Sequence, residues 1–242
     1  MRQKTRRIIV YISLLLFPLT LNYMSPYVSL DGAFRGIIAG SVLLFILQFL
    51  SGIFFGRIWC GWLCPVSGLS ELGTTVNSKN VPVKVLRIIR YSIFAIWFGI
   101  LVTGFVVAGG IQGVDPFHLT DKIVSVDEPM KYFIYYIVLT TLFVLTITVG
   151  KRGACHTICW MAPFMAAGYQ VGRALRVPQL RIQGNYELCI RCGQCNRKCP
   201  MSIDVREQVK GGGVVVSDCI LCCECVDTCP KKAVTLGFQR IK

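Results

Sequence analysis

Nine of the thirteen cysteines lie in two C-terminal runs, and eight of them share one spacing. The runs are CIRCGQCNRKCP, at residues 189–200, and CILCCECVDTCP, at residues 219–230. Each reads C-x2-C-x2-C-x3-C-P, a pattern in which three cysteines bind one iron–sulfur cluster and the fourth reaches the other cluster. The spacing predicts two [4Fe-4S] clusters, one on Cys189, Cys192, Cys195 and Cys229 and the other on Cys199, Cys219, Cys222 and Cys225.

Structural zinc is the main alternative for paired C-x2-C units, but a zinc site takes four ligands. Two complete runs with eight cysteines favour the pair of clusters. Cys223 falls outside the ligand spacing, which predicts a small buried residue beside a cluster.

A second pair of cysteine motifs lies upstream. FFGRIWCGWLCP, at residues 54–65, resembles VGKRGACHTICWMAP, at residues 149–163: in each, an apolar run, a glycine and a basic residue precede C-x3-C. A helical C-x3-C would place its cysteines on one face. Two facing pairs would offer four thiolates, Cys60, Cys64, Cys155 and Cys159, to a third iron–sulfur or other metal centre.

Two further interpretations of these four cysteines stay open. Cysteine is a common buried apolar residue, and each pair could instead carry out thiol–disulfide chemistry, although residues i and i+4 need backbone movement to bridge. His156, inside the second pair, is either a ligand or proton carrier or a hydrogen-bonded neighbour.

The composition is that of a membrane protein, since 54% of the 242 residues are hydrophobic and only 16% are charged. The net charge is +14, and many of the Lys and Arg residues stand beside apolar spans. In that position they set the orientation of the spans in the membrane and contact anionic lipid. The basic residues are not interleaved with aromatic ones, which argues against nucleic-acid binding. Thiolate cluster ligands indicate a reducing compartment.

Four uncharged runs are long enough to cross a membrane. They are residues 8–30, 36–56, 91–114 and 132–150. Most Lys and Arg fall on one side of these spans, from the N-terminal RQKTRR to Arg173 and Arg176. The opposite loops hold only Arg35, Lys122 and Lys131, among Asp115, Asp121, Asp127 and Glu128. Both termini and the cluster region are therefore predicted on the cytoplasmic side of the inner membrane.

The uncharged segment 153–172 is predicted to form a short helix at or dipping into the cytoplasmic surface. The predicted fold is an α-helical membrane protein with four transmembrane helices as two parallel-repeat hairpins. A C-terminal α+β ferredoxin domain of the bacterial 2x[4Fe-4S] type follows. The domains are residues 1–182 and 183–242.

These motifs resemble the membrane-bound polyferredoxins of the NapH/NosR/MauN type, over nearly the whole chain. The resemblance rests on four spans, CGWLCP after the second, C-x3-C after the fourth, and the two C-terminal runs. It implies an integral membrane electron carrier with two cytoplasmic [4Fe-4S] clusters, in which the first C-x3-C pair serves redox transfer. Pro163 is displaced from Cys159, so the second pair matches less well, and the short loops leave no room for a flavin domain of the NosR kind.

The function expected from these features is electron transfer. Electrons would pass between a cytoplasmic or membrane donor, the two clusters and the cysteine centre at the membrane boundary, and then to quinone or a partner across the membrane. Other redox subunits and membrane lipid are the expected partners, and the sequence predicts no catalytic residues. The alternative, which the CcoG branch of the family suggests, is a maturation or regulatory factor that reduces a metal or thiol on another protein.

Overall fold

The computed structural model describes residues 1–120, 124–126 and 128–240. Asp121, Lys122 and Asp127, three of the loop charges used above, lie outside the described residues. The helices are α1 Arg2–Leu15, α2 Phe17–Thr20, α3 Pro26–Phe34, α4 Gly40–Phe55, α5 Ile58–Trp62, α6 Pro65–Val76, α7 Val83–Val107, α8 Pro129–Val149, α9 Gly153–Thr157, α10 Met161–Ala174, α11 Gln194–Lys198, α12 Val205–Lys210 and α13 Glu224–Thr228. The strands are β1 Ile37–Ala39, β2 Gly113–Asp115, β3 Gln179–Gly184 and β4 Val234–Gln239.

Helices α7 and α8 are the two long apolar helices of the described chain. They have 25 and 21 residues and mean hydropathies of 1.9 and 2.0 in their most apolar stretches. Only 22% and 17% of those stretches is buried inside the fold. Because the core helix of a soluble protein would be mostly buried, this exposed apolar surface indicates a membrane protein.

The first apolar run does not form the single helix that we predicted. It divides into α1, α2, a 3-10 turn at Asn22–Met24, and α3. Pro18 lies in the first turn of α2 and Pro26 opens α3, where the Ser25 hydroxyl accepts hydrogen bonds from the Tyr27 and Val28 amides. A proline lacks the amide that would continue the preceding helix, so each proline starts a new segment.

The second apolar run is also shorter as a helix than predicted. Its first residues form β1, which pairs in parallel with β2 through Ile37 and Gly113. The remainder is α4, whose 16 residues extend roughly 24 Å, less than the roughly 30 Å of a hydrocarbon core. The count of four spans therefore stays a prediction.

Helices α6 and α10 each pack on a helix from the other half of the chain. A Cβ on Gly168 or Gly172 of α10 would meet the carbonyl oxygens of Phe49 and Ile53 on α4. A Cβ on Gly73 of α6 would likewise meet the Thr146 side chain on α8. The segment that we predicted as a short surface helix is thus two helices, α9 and α10, and α10 buries one face against α4.

The C-terminal region consists of an antiparallel β3–β4 pair and three short helices. The Gln179 side chain joins β3 to the helical part, donating hydrogen bonds to the Ile53 and Tyr169 carbonyl oxygens at 2.8 and 2.9 Å. One buried apolar cluster runs without a break from Phe45 and Trp97 to Ile220 and Val214. The region of the two cysteine runs is therefore packed onto the helical part. Because β3 already starts at Gln179, the proposed division at residues 182 and 183 falls inside a strand, and it stays a prediction.

Candidate iron–sulfur sites

The structure gathers the eight cysteines of the two runs into two separate cavities, which we call the first and second seats. The first seat is lined by Cys189, Cys192, Cys195 and Cys229. The second seat is lined by Cys199, Cys219, Cys222 and Cys225, and also by Cys223. Each seat contains the four cysteines that the spacing assigns to one cluster, with the fourth cysteine exchanged between runs. The assignment of these cysteines as ligands stays a prediction. A donor set of four thiols around one small cavity fits the ligands of an iron–sulfur cluster.

Matching backbone turns shape the two runs. Gly193 and Cys223 occupy the same position in each run, and both adopt a left-handed conformation, with φ of +72° and +62°, immediately before α11 and α13. Cys199 and Cys229 follow those helices in an extended conformation. A residue that precedes proline is pushed out of the helical region, so each helix ends where the fourth cysteine must reach across.

Cys223 is buried, as predicted for the cysteine outside the ligand spacing. Only 1% of it is exposed, and its Sγ lies 3.5 Å from the Leu221 carbonyl oxygen, to which it donates. A side chain at positive φ costs free energy that glycine would avoid, and the structure offers no reason for cysteine at this position.

The two C-x3-C pairs face each other. Cys64 lies close enough to Cys60, Cys155 and Cys159 for the charges of their thiolates to interact, and Cys159 stands in the same relation to Cys60 and Cys155. Among the described residues, no group of three or more His, Cys, Asp or Glu side chains converges as around a single metal ion.

The helical interpretation of C-x3-C is wrong in detail. Cys60 lies within α5, but that helix ends at Trp62, and Cys64 is the extended residue that precedes α6. Cys155 likewise lies within α9, which ends at Thr157, before Cys159. Pro65 disfavours a helical conformation at Cys64, so the first pair spans a turn between two helices. The pairs meet through the fold and not through one helix face.

His156 is only 1% exposed, and its Nε2 has no hydrogen-bond partner in the described part of the chain. Nearby charged side chains are Arg57, Arg90, Arg152 and Asp218. The structure thus places His156 among these charged groups, with its Nε2 free of any hydrogen bond from the described residues.

Buried arginines surround Cys60, Cys64, Cys155 and Cys159, and our sequence interpretation missed them by treating several as orientation charges. Arg57 and Arg152 each stand three residues before the first cysteine of a pair, and each is 1% exposed. The Arg57 Nη2 lies 3.8 Å from the Cys60 Sγ, and the Arg152 Nη1 donates to the Cys60 carbonyl oxygen at 3.0 Å. The shared R-x2-C-x3-C spacing was the available signal. Arginine is always protonated, so these side chains offset thiolate charge.

Asp218 joins the second seat to these arginines. Its carboxylate accepts hydrogen bonds from Arg57 at 3.2 Å, from Arg90 at 2.7 Å and from Arg87. Arg90 also donates to the Cys155 carbonyl oxygen at 3.4 Å. Burial alone would raise the pKa of Asp218, but the Arg57 and Arg90 guanidiniums outweigh it and hold that pKa at about 2. The carboxylate is therefore ionised at neutral pH, one residue before Cys219.

The backbone of the second run lies directly on the Cys60–Cys64 turn. The Trp62 Nε1 donates to the Leu221 carbonyl oxygen at 3.1 Å, and the Gln3 Nε2 donates to the Cys222 carbonyl oxygen at 2.8 Å. A Cβ on Gly61 would overlap the Ile220 carbonyl oxygen. Glycine at position 61 thus permits the close approach of the second seat to the Cys60–Cys64 turn.

An apolar cavity of about 540 Å³ borders Cys159. Cys159 and Trp160 line it, together with Val66, Val138 and Leu142 from α6 and α8. Polar lining groups include Asn22 and Ser125, whose hydroxyl accepts a hydrogen bond from the Asn22 amide at 3.0 Å. A largely apolar cavity with a few polar groups is typical of a small-molecule site.

Two family profiles match the regions just described. A 4Fe-4S binding domain matches residues 37–83, which include Cys60 and Cys64, and a 4Fe-4S dicluster domain matches residues 181–230, which include both runs. The chain therefore contains iron–sulfur binding domains.

Several curated relatives have names that refer to electron transport or to ferredoxins. YccM of Escherichia coli K12, named as an electron transport protein, is 26% identical over 88% of this chain, which spans 59% of YccM. The ferredoxin-type protein NapH of the same strain is 26% identical over 93% of this chain and 78% of its own length. The methylamine utilization ferredoxin-type protein MauN of Methylobacillus flagellatus is 25% identical over 72% of this chain and 60% of its own length. No solved structure matches the chain.

Proposed function

We propose that this polyferredoxin of the NapH/MauN type is a membrane-anchored electron-transfer subunit of an oxidoreductase. The observation that carries the proposal is the contact between the second seat and the Cys60–Cys64 turn, through Trp62 and Gly61. When bound, the clusters supply one-electron carriers. The chain itself contributes the thiol ligands, the burial that excludes water and the close approach of two cysteine groups.

The proposed membrane arrangement is multi-pass, with four spans and with both termini and the ferredoxin domain on the cytoplasmic side of the inner membrane. The exposed apolar surfaces of α7 and α8 support two of the spans. The distribution of Lys and Arg supports the orientation. The reciprocal packing of α10 on α4 and of α6 on α8 supports a two-fold repeat.

Cys60, Cys64, Cys155 and Cys159 are proposed to hold a third iron–sulfur centre. The mutual proximity of the four thiols supports the ligand set. The buried guanidiniums of Arg57 and Arg152 support it as well, because a centre with four thiolates brings negative charge into a region of low dielectric.

Quinone is the proposed membrane-soluble partner of this centre. The apolar cavity reaches Cys159, so a ring bound there would lie beside the proposed third centre. Its volume of about 540 Å³ falls within the range of roughly 300–1,000 Å³ that is usual for small-molecule pockets.

A maturation factor that reduces a thiol or metal on another protein is the second candidate. Thiol exchange with a protein requires an accessible sulfur. Cys60 and Cys155 are each only 6% exposed, and Cys64 and Cys159 are half-buried. The burial of one cysteine in each pair favours the electron-transfer proposal.

Anaerobic purification followed by iron analysis and EPR titration tests the proposal. We expect about twelve iron atoms per chain, and about eight in the Cys60→Ala/Cys155→Ala variant, at four per cluster. Decylubiquinone should reoxidise the reduced wild-type protein. About eight irons in both proteins would overturn the third centre, and failure of decylubiquinone to accept electrons would overturn the quinone assignment.

A further inference from the structure

The two seats differ in exposure. Cys199, Cys222 and Cys225 of the second seat are buried. Contacts with the helical part of the protein cover that seat, as described above. In the first seat Cys192 is exposed, and a Cβ on the adjacent Gly193 would meet no atom within 4 Å. Among the described residues, the first seat is thus the one open to the cytoplasmic solvent.

Exposed apolar side chains border the first seat. Tyr186, Leu188 and Ile190 are 38%, 50% and 57% exposed. A patch of this kind beside a redox centre is typical of the desolvated middle of a protein interface. We name the surface formed by Tyr186, Leu188, Ile190 and Cys192 the first-seat face.

The surroundings of the first-seat face carry four basic side chains, against the exposed Glu187 between Tyr186 and Leu188. Arg191, Arg206 and Lys231 line the seat itself, and Lys232 follows; all four are exposed. Within the described ranges no carboxylate lies at ion-pair distance from any of these side chains, whereas Lys210 nearby is paired with Glu207 at 2.6 Å. The Arg191 guanidinium lies 5.4 Å from the centroid of the Tyr186 ring. Unpaired positive charge around an apolar patch complements a partner of opposite charge.

We propose that the first-seat face docks an acidic one-electron carrier protein of the cytoplasm. This inference rests on the proposed function and adds the point at which electrons enter the protein. Electrons arrive at the first seat, and the second seat lies between the first seat and the C-x3-C cysteines. In each transfer the reduced carrier gives up one electron and is oxidised by one unit. That electron is accepted within the first seat. The step makes or breaks no bond.

The proposal is tested on the full-length protein in detergent, purified with its clusters. The probe is an acidic plant-type [2Fe-2S] ferredoxin, and a basic c-type cytochrome serves as the probe of opposite charge. The test variant is Arg206→Glu/Lys231→Glu. The matched control is Lys79→Glu/Lys84→Glu, which changes the net charge equally at two exposed positions away from the first-seat face.

Two readouts are measured. Binding of the oxidised ferredoxin should weaken at least tenfold in the test variant and stay unchanged in the control. The second-order rate of reduction by the reduced ferredoxin should fall by a similar factor at low salt. The difference should vanish near 1 M salt, where the screening length is about 3 Å.

Equal effects in the test and control variants would overturn the docking proposal, as would equal binding of the acidic and basic probes. Dithionite, a small reductant, separates this failure from that of the proposed function. If dithionite reduces all clusters and decylubiquinone reoxidises them, only the docking face is wrong. If dithionite reduces no cluster, the electron-transfer proposal itself fails.

Discussion

The Asp218 carboxylate lies 2.7 Å from the Arg90 guanidinium, and each side chain is only 1% exposed. Arg90 belongs to a long apolar helix, and Asp218 directly precedes a cysteine of the second seat. Removing one partner of a buried ion pair leaves an uncompensated charge in a region of low dielectric. This pair therefore fastens the ferredoxin region to the helical part.

Asp218→Asn should destabilise the protein by about 3–5 kcal/mol, because three guanidiniums lose their carboxylate. Thermal unfolding in detergent measures the change. Asp227→Asn is the control: its pair with Arg2 is about one-third exposed, so its loss should cost less than about 1 kcal/mol. Equal losses in the two variants would contradict the structural role of Asp218.

Gly61→Ala should weaken the contact between the second seat and the Cys60–Cys64 turn. The added methyl overlaps the Ile220 carbonyl oxygen, and overpacking of this kind typically costs about 1–3 kcal/mol. Faster tryptic release of the C-terminal region would report the loosening. Gly99→Ala in α7 is the matched control, since its Cβ would meet no atom within 4 Å. Identical digestion of the two variants would show that the close approach is dispensable.

Cys223→Ser should retain the full iron content, because Cys223 lies outside the predicted ligand set and serine can keep the hydrogen bond to the Leu221 carbonyl oxygen. Cys222→Ala should lose about four irons, the content of one cluster. Iron analysis of anaerobically purified protein compares the two. Loss of iron from Cys223→Ser alone would reverse the assignment of these neighbours.

Val138→Trp should slow reoxidation of the reduced protein by decylubiquinone at least tenfold, because the indole would fill the apolar cavity beside Cys159. Its iron content should not change. Val144→Trp tests the same substitution on α8 at a position that is 44% exposed and does not line the cavity. If both variants react with quinone at the wild-type rate, the cavity is not the quinone site.

The spacing grouped eight cysteines into two sets, and each set lines one seat, since each run carries its geometry in a few neighbouring residues. The spacing did not place Cys223 in the lining of the second seat, where the structure has it. The proximity of the two C-x3-C pairs was expected from a helical conformation that neither pair adopts throughout. Their role as ligands stays a prediction. Pro65 was the signal for the correct conformation of the first pair. A proline disfavours the helical conformation of the residue before it, and Cys64 is extended.

Other features depend on contacts between distant parts of the chain. Asp218 and Arg57 are 161 positions apart, and no periodic pattern connects them. Arg57, Arg90 and Arg152 were interpreted as exposed charges that set orientation, because burial of an arginine depends on a partner that only the fold supplies. The prediction of one continuous helix in the first apolar run was likewise wrong. Hydropathy does not reveal that new helices start at Pro18 and Pro26.

The covering of the second seat by α1 constrains biogenesis. Gln3 is synthesised long before Cys222, and its side chain donates a hydrogen bond to the Cys222 carbonyl oxygen in the folded protein. A scaffold protein that delivers iron and sulfide needs access to that seat. We therefore expect loading of the C-terminal region while it is still detached, with docking onto α1 as the final step of maturation.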